Sequence, residues 1–377
     1  MFTRILQEVI QKDFFSGKAV ILLGPRQAGK TTLLRQLSKQ VESPQIWLNG
    51  DSSFDRALLN NLTGKRAKEL FPKGAVVYID EAQRLDNTGL SLKIIHDNCE
   101  GIQMIATGSS SFELTDKIKE ALTGRKWTYR MFPLSQEELI QHFGMLDTIR
   151  MLDTRLVFGS YPEVINNAGQ EIETLQELVS DYLYKDVFAL KDVRKPDGLE
   201  KLVQALAFQV GNQVSYRELS NLTGLNKSTV EKYIRLLEDA YIIFRLPTFS
   251  RNLRVELAKS RKIYFVDNGI RNAVISGFNP LGVRNDIGAL WENFLMSERR
   301  KYIKYHRLYR NVYFWRTTQQ QEIDYIEEYD GKIIAYEFKW NPKRKVKFPR
   351  TFLKAYPDAE TKSVNRDNYT DFVFPGL

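Results

Sequence analysis

A short apolar run, Ala19 to Leu23, opens without a spacer into Gly24-Pro25-Arg26-Gln27-Ala28-Gly29-Lys30-Thr31-Thr32. No other stretch narrows the folding choices of the chain as far. The run has the length and composition of a buried parallel strand, and the residues after it fit the complete pattern of a phosphate-binding loop at the start of a helix. In such a loop the glycines let successive backbone N–H groups curl around phosphate oxygens. The dipole of the helix starting near Lys30 favours the negative charge held there. Lys30 is then expected to reach the β- and γ-phosphates of a nucleoside triphosphate, and Thr31 to offer its hydroxyl to Mg²⁺.

Further strands are expected beside the first. Gln45 to Leu48 ends at Asn49-Gly50-Asp51, Ala75 to Ile79 ends at Asp80-Glu81, and Ile102 to Ala106 ends at Thr107-Gly108-Ser109-Ser110-Ser111. Ile5, Leu6, Val9 and Ile10 before the first strand, and Leu33, Leu34 and Leu37 after the loop, fall at helical spacing. Strands alternating with helices make an α/β fold with a doubly wound parallel sheet, whose ligands collect at the carboxyl ends of the strands. Asp80 is therefore positioned to hold Mg²⁺, directly or through water, and Glu81 to orient or deprotonate an attacking water. Ser109 or Ser110 could touch the γ-phosphate or that water, and a helix cap at Ser110 or Ser111 is the plainer alternative.

At 377 residues the chain exceeds what one hydrophobic core usually spans, so two or three domains are expected on size alone. The formal charge of +9 permits an acidic partner such as nucleic acid without requiring one. The single cysteine, Cys99, excludes an internal disulfide and fits a reducing cytosol. Glu8 and Asp13 interrupt the N-terminal apolar pattern, and no apolar run is long enough to span a bilayer. A cytoplasmic protein without membrane attachment is the expectation.

Taken together the motifs resemble AAA+-type ATPases, and specifically a broad prokaryotic group that carries Gly-Pro-Arg-Gln-x-Gly-Lys-Thr, Asp-Glu-x-Gln and Thr-Gly-Ser-Ser. They stand here as Gly24 to Thr31, Asp80-Glu81-Ala82-Gln83 and Thr107 to Ser110, and Gly124-Arg125 and Pro133-Leu134-Ser135 match two further elements of that group. The resemblance implies ATP as ligand and a sensor position within Thr107 to Ser110. It also implies Arg125 as an arginine finger, acting on the γ-phosphate from its own chain or from a neighbour. Beside Lys126, Arg125 could instead only cap a strand.

Ser135 to about Leu190 reads as helices, with Leu139, Ile140 and Phe143, then Leu152, Leu156 and Val157, then Leu175, Leu178, Val179, Tyr182 and Leu183 at helical spacing. Gly159-Ser160-Tyr161-Pro162 breaks the run and resembles a Gly-Gly-Tyr-Pro element of the same group. A small helical lid is expected there. Lys195-Pro196-Asp197-Gly198 reads as a linker. Beyond it Ser215-Tyr216-Arg217-Glu218 is a capping-box pattern, Gly224 a turn, Ser228-Thr229-Val230-Glu231 a second helix start, and Tyr241 to Leu246 a strand. That order suggests a winged helix-turn-helix. Lys227, Thr229, Lys232 and Arg235 are available to phosphates, diluted by Glu231, Glu238 and Asp239; a lid or protein-docking role is the alternative.

Near the C-terminus, Glu322 to Ile326 and Ile334 to Trp340 alternate polar and apolar residues around Asp330-Gly331, which signals a hairpin. Counting out from the turn sets Asp324 opposite Glu337 and Glu322 opposite Lys339 on one face, with Ile323, Tyr325, Tyr336, Phe338 and Trp340 on the other. Opposed carboxylates with Cβ atoms about 5 Å apart repel. A shared Mg²⁺ or Mn²⁺ would remove that repulsion, and Lys339 could orient a water or offset charge on a phosphate. An exposed face of incidental salt bridges is the alternative. The set resembles the PD-(D/E)XK nuclease superfamily, in which an acid on one strand and Glu-x-Lys on its neighbour build the metal site. The resemblance implies Asp324, Glu337 and Lys339 as catalytic residues and Asp324, Glu337 and Glu292 as metal ligands, although Asp324 lacks the proline that precedes it in the family motif. Arg299, Arg300, Lys301, Lys304, Arg307 and Arg310 before the hairpin, and Lys343, Arg344, Lys345, Lys347 and Arg350 after it, are interleaved with Tyr302, Tyr305, Tyr309 and Trp340, a mixture suited to a nucleic-acid backbone.

Four segments are thus expected: an ATPase core (1–134), a helical lid (135–194), a winged helix-turn-helix (195–250) and an α/β restriction-endonuclease-like domain (251–377). The expected activity is ATP binding and hydrolysis that controls a nucleic-acid-binding module, with DNA favoured over RNA and metal-dependent cleavage as a further step. A switch or DNA-binding regulator with a silent nuclease-like fold is the alternative. A homo-oligomer would follow from an arginine finger acting between subunits.

Overall fold

The computed structural model describes residues 1–109, 118, 121–187, 193–249 and 261–375. The chain divides into two compact units, residues 1–134 with 239–241, and residues 135–238 with 242–377.

The first unit is built on five parallel strands: β1 (Ala19–Leu23), β2 (Gln45–Asn49), β3 (Val76–Asp80), β4 (Gln103–Gly108) and β5 (Lys126–Arg130), in the spatial order β2-β3-β4-β1-β5. Every residue of β1 and β4 is buried. That is why neither alternates: β1 reads as an unbroken apolar run, and β4 holds Met104, Ile105 and Ala106 between a buried Gln103 and a buried Thr107. β5 stands at an edge and alternates, Lys-Trp-Thr-Tyr-Arg, so sequence reasoning passes over it. The helix Lys30–Ser38 presses Leu33, Leu34 and Leu37 fully into the core. Because β4 lies between β1 and β3, the carboxyl ends of all three open on one edge of the sheet. There Gly24, Asp80, Glu81 and Ser109 come together.

The second unit begins with helices Gln136–Phe143, Met145–Arg150, Leu152–Phe158, Pro162–Asn166 and Glu171–Leu178, the last continuing into a π-helical stretch, Val179–Val187. Ser135 and Glu138 close a reciprocal capping box at the first of these. Gly159 is required where it stands. Its φ is +69°, and a Cβ there would lie 1.8 Å from an Asp267 oxygen. Asp267 accepts from Ser160 N at 2.7 Å and caps the helix Asn268–Val274.

The stretch expected as a linker is helical: Pro196 is the first residue of the helix Pro196–Phe208, a position its missing N–H and fixed φ favour. Then come β6 (Gln213–Val214), helices Tyr216–Thr223 and Lys227–Asp239, β7 (Ile243–Leu246) and β8 (Arg261–Phe265), the strands forming an antiparallel sheet in the order β6-β8-β7. Gly224 ends the first of the two helices in the left-handed conformation. Asn226 rather than Ser228 caps the second, its Oδ1 accepting from Thr229 N at 2.8 Å. The border expected at 250–251 lies outside the described residues.

The long helix Ile287–Tyr305 precedes β9 (Asn311–Arg316), β10 (Glu322–Tyr329) and β11 (Lys332–Phe338), and the helix Arg350–Ala355 leads to β12 (Glu360–Val364), parallel to β11. The sheet order is β12-β11-β10-β9. Asp330 (φ 48°) and Gly331 (φ 74°) make a two-residue turn, and the register counted from it holds from Tyr329↔Lys332 to Tyr325↔Tyr336. Ile323 departs from expectation. A bulge between Ile323 and Ile326 turns it into the cluster of Ile326, Ala335 and Phe352, whereas Tyr325, Tyr336 and Phe338 surround Phe372.

Candidate ATPase centre and the C-terminal ionic cluster

The loop after β1 is held from several sides. Gly24 N donates to Gly108 O at 3.3 Å, and a Cβ on Gly24 would lie 2.2 Å from Met131 O. Gln27 (φ 57°) and Gly29 (φ 95°) are left-handed, so the chain coils tightly before Lys30. Arg4, 3% exposed, donates to Ala28 O at 2.7 Å and to Phe132 O at 2.6 Å. Sequence reasoning misses Arg4, because nothing in an N-terminal amphipathic helix marks one arginine as a clamp.

Lys30 is buried, its Nζ donating to Gly24 O at 2.9 Å and Pro25 O at 2.7 Å. Burial pushes its ammonium down to about 8, against the opposing pull of Glu81 and Asp80. Thr31 Oγ1 donates to Asp80 Oδ2 at 2.7 Å, and Thr107 Oγ1 donates to the other oxygen of Asp80. Glu81 sits at φ 50°, ψ 40°, with its N–H shared between Asp80 Oδ1 and Thr107 Oγ1, each at 3.2 Å. Gln83 Nε2 donates to the Glu81 carboxylate and, at 2.9 Å, to Ser109 Oγ. The structure thus gathers Lys30, Thr31, Asp80, Glu81 and Ser109, with Thr107 and Gln83 as the links between them. Ser110 and Ser111 lie outside the described residues. Thr32 follows Thr31 in the first turn of the helix Lys30–Ser38, and Pro25 and Arg26 complete the loop.

Arg125 is not part of this group. It directly precedes β5, whose first residue pairs with Ala19 at the amino end of β1, whereas the phosphate-binding loop leaves the carboxyl end. Five residues of strand put about 13 Å between those ends. Its guanidinium is bound to Asp97 at 2.7 and 3.0 Å. A finger acting on the loop of its own chain is therefore corrected: the parallel pairing carries Arg125 to the far edge of the sheet.

In the second unit the hairpin acids lie in a dense ionic cluster. Asp324 Oδ2 accepts from Phe338 N at 2.8 Å, and Lys339 Nζ meets Glu337 at 2.8 Å and Asp324 at 3.7 Å. Lys262 on β8, 1% exposed, donates to Glu292 Oε1 at 2.9 Å and reaches Glu322 at 2.5 Å. Tyr264 Oη donates to the same Glu292 oxygen at 2.6 Å, and Arg316 meets Glu322 at 3.2 Å. Burial raises the Glu292 carboxyl; for Lys262, burial alone would lower the ammonium, but Glu292, Asp324 and Glu322 hold it above its ordinary value. Among the described residues no three of His, Cys, Asp and Glu converge so as to hold a metal ion. Of the expected ligand set, each acid takes a hydrogen bond from within the chain: Glu292 from Tyr264, Asp324 from the Phe338 amide and Glu337 from Lys339. Lys262 carries no sequence signal, being one of two basic residues that open a short strand.

Burial, then Asp324, push the Glu337 carboxyl up to about 7 against the pull of Lys339. The folded chain binds a proton there that the unfolded chain has released, so this contribution to stability is full below pH 4.5 and lost as pH rises through 7. Urea denaturation should show wild type losing about 2 kcal/mol more than Glu337→Gln between pH 5 and pH 8.

The flanking basic run divides by burial. Arg299 makes a two-point ion pair with Glu327 at 2.6 and 2.9 Å, Lys301 pairs with Glu298 at 2.6 Å, and Tyr305 is buried. Those three are core rather than surface. Lys343, Arg344, Lys345, Lys347 and Arg350 run along the outside with at most partial cover, and on the helix Lys227–Asp239 the basic residues Lys227, Lys232 and Arg235 are exposed. Glu238, expected to dilute that helix, forms an ion pair with Arg245.

Residues 16–140 match the model of an AAA domain, residues 149–283 a domain of unknown function (DUF8612), and residues 287–373 another domain of unknown function (DUF4143). The chain is 24% identical over 390 residues to the uncharacterized protein MJ1544 of Methanocaldococcus jannaschii, covering 96% of this chain and 84% of that one. It is 26% identical over 341 residues to the uncharacterized protein Rv2008c of Mycobacterium tuberculosis, covering 88% and 72%. Among solved structures, the Walker-type ATPase PABY2304 of Pyrococcus abyssi aligns with a TM-score of 0.49 at 16% identity, over 73% of this chain and 96% of that one. The domain match and the loop geometry agree on an AAA-type, P-loop ATPase-like domain on a parallel sheet. Among the described residues no helix is long and apolar enough to cross a membrane.

Proposed function

We propose that this chain binds and hydrolyses ATP, and that the bound triphosphate controls how its second unit holds nucleic acid. One observation carries the ATPase reading: a buried ammonium, a hydroxyl–carboxylate pair and a second carboxylate stand together beside a left-handed glycine loop at the edge where β1, β3 and β4 end. Lys30 donates to two main-chain carbonyls, and a phosphate oxygen is a stronger acceptor for it. The residue set fits Mg²⁺ with ATP: Thr31 and Asp80 are hard oxygen donors already in contact, and they would hold the ion. When bound, the ion neutralises charge on the phosphates. Gly24, Pro25, Arg26, Gln27, Ala28 and Gly29 would wrap the phosphates with their main chain, with Thr32 at the helix start. Glu81 would orient the attacking water, and Ser109, joined to Glu81 through Gln83, would sense the γ-phosphate. Arg125 enters the reaction only in a homo-oligomer, presented to a neighbouring subunit.

Residues 195–250, with β8 beside β7, are read as a winged helix-turn-helix whose second helix offers Lys227, Lys232 and Arg235 to phosphates. Support comes from the order helix, strand, helix, glycine turn, helix, strand, strand, with those three side chains exposed. The test is duplex DNA binding by fluorescence anisotropy across a salt series, with and without a slowly hydrolysed ATP analogue. Replacing the three by Ala should weaken binding about 10-fold or more, lower the salt slope by about 2–3, and leave ATP turnover intact. Equal affinity in the triple variant, or affinity blind to nucleotide, would remove this assignment.

A further inference from the structure

The acids that resemble a nuclease metal site are already compensated from inside the protein. Glu292 on the helix Ile287–Tyr305, Glu322 and Asp324 on β10 and Glu337 on β11 bring four carboxylates together, and Lys262, Lys339 and Arg316 bring three cations to them. The cation that decides the matter is Lys262. It comes from a different sheet, is 1% exposed, and spans Glu292 and Glu322 at 2.9 and 2.5 Å. Burying an ammonium is costly, and paired acids offset its lost hydration. A divalent cation needs several oxygen ligands with free lone pairs turned to one point. Here Glu292 Oε1 accepts from both Lys262 and Tyr264, and Asp324 Oδ2 from the Phe338 amide. A metal entering this cluster would have to strip Lys262 of the acids that compensate its charge.

We propose that Lys262 takes the place of the divalent cation, so that the nuclease-like acidic set is a closed ionic joint tying β8 to the long helix and to β10, and binds no metal. The proposal rests on reading this part of the chain as nuclease-like, and it is independent of ATP binding by residues 24–31.

The test is Mn²⁺ titrated into the nucleotide-free full chain, with free Mn²⁺ followed by electron paramagnetic resonance. Wild type should show no site that depends on Asp324; a site lost in Asp80→Asn but kept in Asp324→Asn belongs to the ATPase centre and agrees with the proposal. A site kept in Asp80→Asn and lost in Asp324→Asn overturns it. Lys262→Met keeps the length of the side chain and removes its charge. It should acquire one Mn²⁺ per chain, with a rise in melting temperature on adding the ion that Asp324→Asn cancels. A folded Lys262→Met that takes up no Mn²⁺ would show that the ammonium is not what stands in the metal's place; should that variant fail to fold, the wild-type titration decides alone.

Discussion

Lys30→Met should lose ATP affinity by about 100-fold or more and yet leave a protein at least as stable as wild type, because the contacts proposed for this lysine with phosphate are strong and its burial is unfavourable. With its ammonium pushed down to about 8 by burial, the folded chain holds the proton less tightly than the unfolded chain does. The group therefore opposes folding below pH 8, and the penalty shrinks as pH rises from 8 towards 10.5. Removing the charge relieves about 1–3 kcal/mol, partly offset by the two carbonyls, Gly24 O and Pro25 O, that lose their donor. Urea denaturation of the nucleotide-free variant at pH 7 reads the stability, and equilibrium dialysis with ATP reads the affinity. A variant that loses stability together with affinity would make Lys30 a structural residue.

Glu81→Gln should bind ATP with affinity close to wild type and hydrolyse it about 10²- to 10⁴-fold more slowly, the range expected when a positioned base is lost. The surroundings of Glu81 favour this separation of binding from turnover. Its left-handed backbone is fixed by Asp80 and Thr107 through the main-chain N–H, and Gly50 leaves the room that its carbonyl occupies, since a Cβ there would lie 2.1 Å away. A non-glycine residue in that conformation carries about 1–2 kcal/mol of strain, retained here beside the phosphate-binding loop. Glutamine keeps the volume and the contact to Gln83 but cannot take a proton. Single-turnover hydrolysis measures the effect, and an unchanged rate would assign the water to another residue.

The first unit is largely legible in the sequence because its buried strands hold short apolar runs that end in polar residues. Gly24, Asp80 and Ser109 can be placed on one edge from order alone. β5 escapes because an edge strand alternates like a surface loop, and with it goes the pairing that sends Arg125 to the wrong end of the sheet. In the second unit the Asp330-Gly331 turn sets the hairpin register, which depends on local backbone geometry. The bulge at Ile323 depends on how β10 pairs with β9, and the place of Lys262 depends on Glu292 and Glu322, both distant from it in sequence. Likewise Arg299 and Lys301 read as surface charge until Glu327 and Glu298 are seen beside them; a long basic helix does not announce which of its faces meets buried acid.

Calorimetric titration of ATP with Mg²⁺ into the full chain near pH 8 is the most direct trial of the proposed ATPase. Saturable heat at one site per chain, varying with the ionisation heat of the buffer as Lys30 takes up a proton, and absent in Lys30→Met, is the expected result. A flat titration of folded protein, or an unchanged one in Lys30→Met, would contradict it.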